Sequence, residues 1–74
     1  MTIVDKAGQL VKNGDIIDLN QTVNGQRLFI VLDVETLDIR YNHNINRKYE
    51  YDTKELFRPC PFSGQVDFRI IGRI

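Results

Sequence analysis

Apolar side chains in this chain recur in short runs of period two, separated by polar bends, and that period is the signature of a β-strand. The clearest run is LFIVLDV, residues Leu28–Val34. Leu28, Ile30, Leu32 and Val34 fall on one face, and Phe29 and Val31 on the other. With both faces apolar, this segment should be the central and most buried strand. Before it, Asp15–Asn20 alternates, with Ile17 and Leu19 on one face against Ile16. After it, Leu37, Ile39 and Tyr41 alternate with Asp38 and Arg40, which predicts a half-exposed strand. Arg47–Asp52 alternates again and sets Tyr49 and Tyr51 on one side. The last segment, Val66–Ile74, places Val66, Phe68, Ile70 and Ile74 opposite Asp67, Arg69 and Arg73. A short first strand is expected at Thr2–Val4, and a short extended piece at Gln9–Lys12.

The bends carry turn chemistry. Asn24-Gly25 is the strongest hairpin signal, because a type I′ turn needs positive φ at both central residues. Asn13-Gly14 reads the same way if it joins two paired strands. Asp5-Lys6-Ala7-Gly8 is a turn in which aspartate can bond backbone downstream and glycine accepts positive φ. Glu35-Thr36 is a further turn, and the polar stretch Asn42–Asn46 should be a loop. Asp52-Thr53-Lys54-Glu55 has the form of a capping box and predicts one helical turn over 53–57. Pro59 ends it, and Pro61, Ser63 and Gly64 form another loop. Six strands and one helical turn in 74 residues can cover both faces of Leu28–Val34 only by curling. The expected fold is therefore mainly β: a small, strongly bent antiparallel barrel, SH3-like or OB-like, occupying residues 1–74 as one domain.

Composition agrees. Six asparagines, a single alanine at Ala7 and abundant Ile, Val, Phe and Tyr favour strands over helices. Lys plus Arg equals Asp plus Glu at ten each, so a general electrostatic attraction to nucleic acid or to acidic membrane is not supported. The charge is uneven: residues 1–39 carry three basic and six acidic side chains, residues 40–74 seven and four. Cys60 is the only cysteine, which excludes an internal disulfide and suits a reducing compartment. MTIVDKAGQ lacks the apolar run of a signal peptide, and the longest such run, Leu28–Leu32, is too short to cross a bilayer. A cytoplasmic location is expected.

Candidate chemistry is sparse. The glycines of DKAGQLVKNGDII, Asp5–Ile17, do not form a phosphate loop, because Asp15 and Ile16 stand where lysine and a hydroxyl are needed. Asp5, Asn13 and Asp15 are too few and too far apart for a calcium loop. Cys60 and His43 are the sole conventional nucleophile and base, with nothing to bring them together, and two such residues do not make a zinc site. Asp33, Glu35 and Asp38 gather at a hairpin tip, which is convex and wet, and read as solubilising charges. No cofactor, metal or catalytic set is expected. The segment Arg40-Tyr41 to Arg47-Lys48-Tyr49-Glu50-Tyr51, with Arg58, interleaves aromatic and basic side chains. Such a surface suits a partner protein or a nucleic-acid single strand, although Glu50 and Asp52 dilute its positive field.

The pattern D-K-x-G-x-x-V-x-x-G-D-I-I over Asp5–Ile17 resembles the opening of YopX-like proteins and related small β-rich proteins of bacteriophages. The closing Arg69-Ile70-Ile71-Gly72-Arg73-Ile74 is similar to the isoleucine-glycine final strand of that group. Its members are usually longer, and residues 20–65 carry no matching motif. The resemblance implies a barrel-like β fold and a phage or prophage origin, and brings no catalytic residue with it. The expected function is thus a small, non-enzymatic protein-interaction module: with the resemblance, a phage-encoded accessory protein that engages a host factor in the host cytoplasm. Single-strand nucleic-acid binding by the Tyr41, Tyr49 and Tyr51 surface with Arg40, Arg47, Lys48 and Arg58 is the alternative. A homodimer could form by pairing of an exposed strand beside Asn42–Asn46.

Overall fold

Period-two alternation does produce strands. The computed structural model describes residues 2–74. In it, β1 (Asp15–Val23), β2 (Gln26–Asp33), β3 (Asp38–Tyr41), β4 (Asn44–Lys48) and β5 (Arg69–Arg73) form one antiparallel sheet, with a single helical turn α1 (Thr53–Leu56). The strand order is β4-β3-β2-β1-β5, so the ladder is open and β4 and β5 are its edges. β2 lies at the centre, as its two apolar faces require.

The β1–β2 hairpin closes on Asn24-Gly25, with Val23 opposite Gln26 and φ of 53° and 76° at the two turn residues. This is the type I′ geometry whose handedness matches strand twist. Asn13-Gly14 differs. Only Gly14 has positive φ there, 91°, and the turn joins no strand pair. Asn13 Oδ1 instead accepts the backbone N–H of Val34 (2.8 Å), and Gly14 N–H donates to Val31 O.

One face of the sheet carries Ile17, Leu19, Phe29, Val31, Ile39 and Tyr41, all buried. Ile3 and Val11 cover it from the N-terminal segment, Val34 and Leu37 from the β2–β3 turn, and Tyr49, Val66 and Phe68 from the chain between β4 and β5. Cross-strand partners Phe29 and Tyr41 meet at 4.7 Å between ring centroids, and Phe57 meets Phe68 edge-on at 5.1 Å. On the other face Ile16, Leu28 and Leu32 are half-buried around Ile30, which is buried.

Several expectations shift. The paired stretches Thr2–Val4 and Gln9–Lys12 reduce to one bridge, Val4 with Leu10, so the sheet has five strands rather than six. The polar stretch at 42–46 is a tight turn followed at once by β4, and that strand stops at Lys48 instead of running to Asp52. The last strand starts at Arg69 rather than Val66. Val34 lies in the core with Val31 rather than beside Leu32, because the β2–β3 register slips by one between Val31 and Asp33. The β1–β5 register slips in the same way: Ile16 faces Gly72, but Ile17 faces Ile70. Ile71 is the extra residue, and a single inserted residue reverses side-chain parity beyond it. Arg73 therefore lands opposite Asp15 on the core side, and Ile74 is exposed. Around α1, Asp52 Oδ1 caps Lys54 N–H (3.0 Å) as expected, while the Glu55 carboxylate pairs with Arg58 (3.2 Å) instead of returning to the cap.

Candidate functional site

The seven residues singled out for a binding surface do not share one face. Tyr41 pairs with Phe29 on the core side and is fully buried, and Tyr49 is buried beside it. Arg40 and Lys48 pair with each other on the opposite side, one position along from the tyrosines. Arg40 donates through Nε and Nη2 to Asp38 (2.9 and 3.2 Å) and through Nη1 to Ile45 O (3.1 Å). The hydrogen bonding between the Arg40 and Asp38 side chains, ahead of their charge attraction, holds the Asp38 carboxyl below its usual range and Arg40 above its own. Arg58 follows α1 in the chain and pairs with Glu55.

What does come together is Tyr41, Arg47, Glu50 and Asn24. The Tyr41 hydroxyl donates to Glu50 Oε1, and Asn24 Nδ2 donates to both of those oxygens. The Arg47 guanidinium lies 4.4 Å from the Tyr41 ring centroid and 3.6 Å from Glu50 Oε1. Burial, then the hydrogen bond to Glu50, push the Tyr41 phenol above its ordinary value; burial does the same for Tyr49. The cation is balanced and the rings are spent on packing, so of the three tyrosines only Tyr51, 54 % exposed, offers a ring to solvent. Its near neighbour is Tyr49, edge-on at 5.7 Å.

His43 packs edge-on against Tyr41 at the β3–β4 turn, and Cys60 lies in the loop after α1; no hydrogen bond joins them. Hydrogen bonds from the Phe62 and Ser63 backbone, then the Ser63 side chain, hold the Cys60 thiol below its ordinary value. Among the described residues no group of three or more His, Cys, Asp or Glu is placed to hold a metal ion. No helix among them is long and apolar enough to cross a membrane.

Two features lay outside the reach of sequence patterns. The first is a pair of buried carboxylates in the opening stretch. Asp5 accepts Gln9 N–H (2.7 Å) and, across 65 residues, Ile70 N–H (3.0 Å). Asp15 accepts Lys12 N–H (2.8 Å) and Arg73 Nε (2.7 Å). Both side chains thus fasten β5, and the turn-forming residue types there were the only hint. The second is Phe62, which is 97 % exposed. Its loop is closed by Cys60 N–H to Gln65 O (2.8 Å) and Gly64 N–H to Cys60 O (2.7 Å), with Gly64 at φ 70°. Against protein-family models, curated proteins and solved structures, the chain has no match.

Proposed function

We propose that this chain is a small, non-enzymatic module that works by binding another protein, with Phe62 as its anchor. What supports the reading is the almost complete exposure of a large aromatic at the tip of a loop already closed by two backbone hydrogen bonds. Covering a phenyl side chain is worth about 1.5–3 kcal/mol. A loop held in shape beforehand loses little further entropy on binding. Aromatic anchors that enter a partner's pocket carry much of an interface's energy. Catalysis has no comparable support, since no hydrogen bond joins Cys60 to His43, and Asp5, Asp15, Asp18, Asp38 and Glu55 are engaged in turns and ion pairs.

The scaffold we infer is an open sheet bent toward the small SH3-like or OB-like barrel expected from the sequence, with the slips at Ile71 and along β1 supplying the bend. Taken with the YopX-like resemblance, the reading becomes a phage-encoded accessory protein engaging a host factor in the host cytoplasm. Nucleic-acid binding draws less support, because stacking needs open ring faces and Tyr41 and Tyr49 are packed inside. Affinity capture with the wild-type chain and with Phe62→Ala as parallel baits tests the proposal. One partner retained by the wild type and depleted about tenfold with the variant is the expected result. Equal retention by both baits, or no partner with either, overturns it.

A further inference from the structure

We infer a second site, for a carboxylate carried on an apolar stem, in the cleft between the N-terminal segment and the end of β5. The cleft has a volume of about 380 Å3 and is lined by Gln9, Leu10, Lys12, Asp15, Ile70 and Arg73. None of these residues belongs to the Phe62 loop, so the site is independent of the protein-binding reading.

The cleft exists because of the extra residue at Ile71. Without that slip Arg73 would face away from Asp15. With it, the fully buried Asp15 carboxylate grips Arg73 through Nε alone, at 2.7 Å. The two terminal nitrogens of the guanidinium have no partner among the described residues, and the side chain is 54 % exposed. A guanidinium held by one nitrogen presents the others as a fixed fork, so little orientational freedom remains to be lost when an oxyanion arrives. Lys12 gives its backbone N–H to Asp15, and its ammonium makes no ion pair among the described residues. Asp15 offsets Arg73, and the buried Asp5 carboxylate behind Gln9 and Ile70 offsets Lys12, so the two cations lie over two buried carboxylates.

Cations balanced in this way suit a monoanion and disfavour a doubly charged phosphate. The walls select further. Leu10, 48 % exposed, and the half-buried Ile70 leave apolar surface at the rim. A branched apolar group next to the carboxylate covers it, while the oxygens meet the Arg73 fork and Lys12. A free acyl-amino acid and the C-terminal carboxylate of a peptide ending in leucine share this chemistry.

The test is amide NMR titration of the 15N-labelled full chain with N-acetyl-leucine, N-acetyl-leucinamide, acetate, and a short peptide ending in leucine with a free carboxylate. Saturable shifts at Gln9, Leu10, Lys12, Ile70 and Arg73 are expected with the leucine acid, the peptide or both. Binding by the peptide alone assigns the site to protein C-termini. The amide and acetate should each bind about tenfold more weakly. Lys12→Gln, which keeps the backbone N–H that Asp15 uses, should weaken binding several-fold, and Lys12→Arg should restore it. No saturable shift with either carboxylate ligand overturns the proposal, as does equal binding of the amide, equal binding of acetate, or indifference to Lys12→Gln.

Discussion

The two edges of the sheet are finished in opposite ways. At β5 the chain's own N-terminal turn lies against the edge: Lys6 N–H donates to Phe68 O, and Asp5 accepts Ile70 N–H from inside the protein. Two carboxylates that are almost wholly buried do the fastening. At β4 every residue is exposed, and three more residues lie between Asn44 and Lys48 than between the positions they face. There the edge is blunted locally, by Asn44 Oδ1 taking Asn46 N–H and by Arg40 taking Ile45 O. A covered edge and a bulged edge are both poor templates for an added strand. The proposed anchor at Phe62 accordingly lies at a loop tip and uses neither edge.

The largest effects should come from the β5 side. Asp15→Ala leaves the Lys12 N–H and the Arg73 guanidinium without their partner and should cost about 3 kcal/mol in urea unfolding. Asp5→Ala strands two backbone donors and should cost about 2 kcal/mol. Equal and small losses from both would remove the contrast between the edges. On the β4 side, Glu50→Ala removes an acceptor from Tyr41, Asn24 and Arg47; the last two are exposed and Tyr41 keeps its bond from Asn24, so about 1 kcal/mol is expected. The hairpin between the edges offers a calibration: Gly25→Ala, at φ 76° with open space around it, should cost about 1 kcal/mol by backbone strain alone. The smallest effect is with acid. The hydrogen bonds from Arg27 to Asp18 and from Arg40 to Asp38 lower both carboxyls below their ordinary values. Their contribution is present above the unfolded value of about 4 and is lost as pH falls through the lower folded ones. Asp18→Asn and Asp38→Asn should each flatten the acid limb of a stability–pH curve slightly, and an unchanged limb would mean the pairs are not formed.

The centre of the sheet was legible because its signals are local. Alternation marks β1, β2 and β3, and Asn24-Gly25 fixes the hairpin through the φ values its residues tolerate. The edges were not, because what shapes them is a count of residues between distant partners. Nothing in the residue types around Ile71 announces a slip against β1, yet that slip decides which way Arg73 points. In the same way an aspartate in a glycine-rich turn reads as a solvated turn former, and only the returning β5 turns Asp5 and Asp15 into buried acceptors. Tyr41 and Tyr49, interleaved with basic residues, read as part of a binding surface, but packing against Phe29 draws them into the core. Phe62 sits between a proline and a serine with no alternation to place it, so its exposure depends on the loop around it.

Amide hydrogen exchange at Ile70 tests the contrast between the edges most directly. With Asp5 holding it, this outward-facing N–H should exchange about as slowly as those of Ile17 and Phe29, and far more slowly than that of Asn46. Asp5→Asn, which keeps only one acceptor oxygen for two donors, should speed it selectively. Exchange at Ile70 in the wild type as fast as at Asn46 would contradict the account.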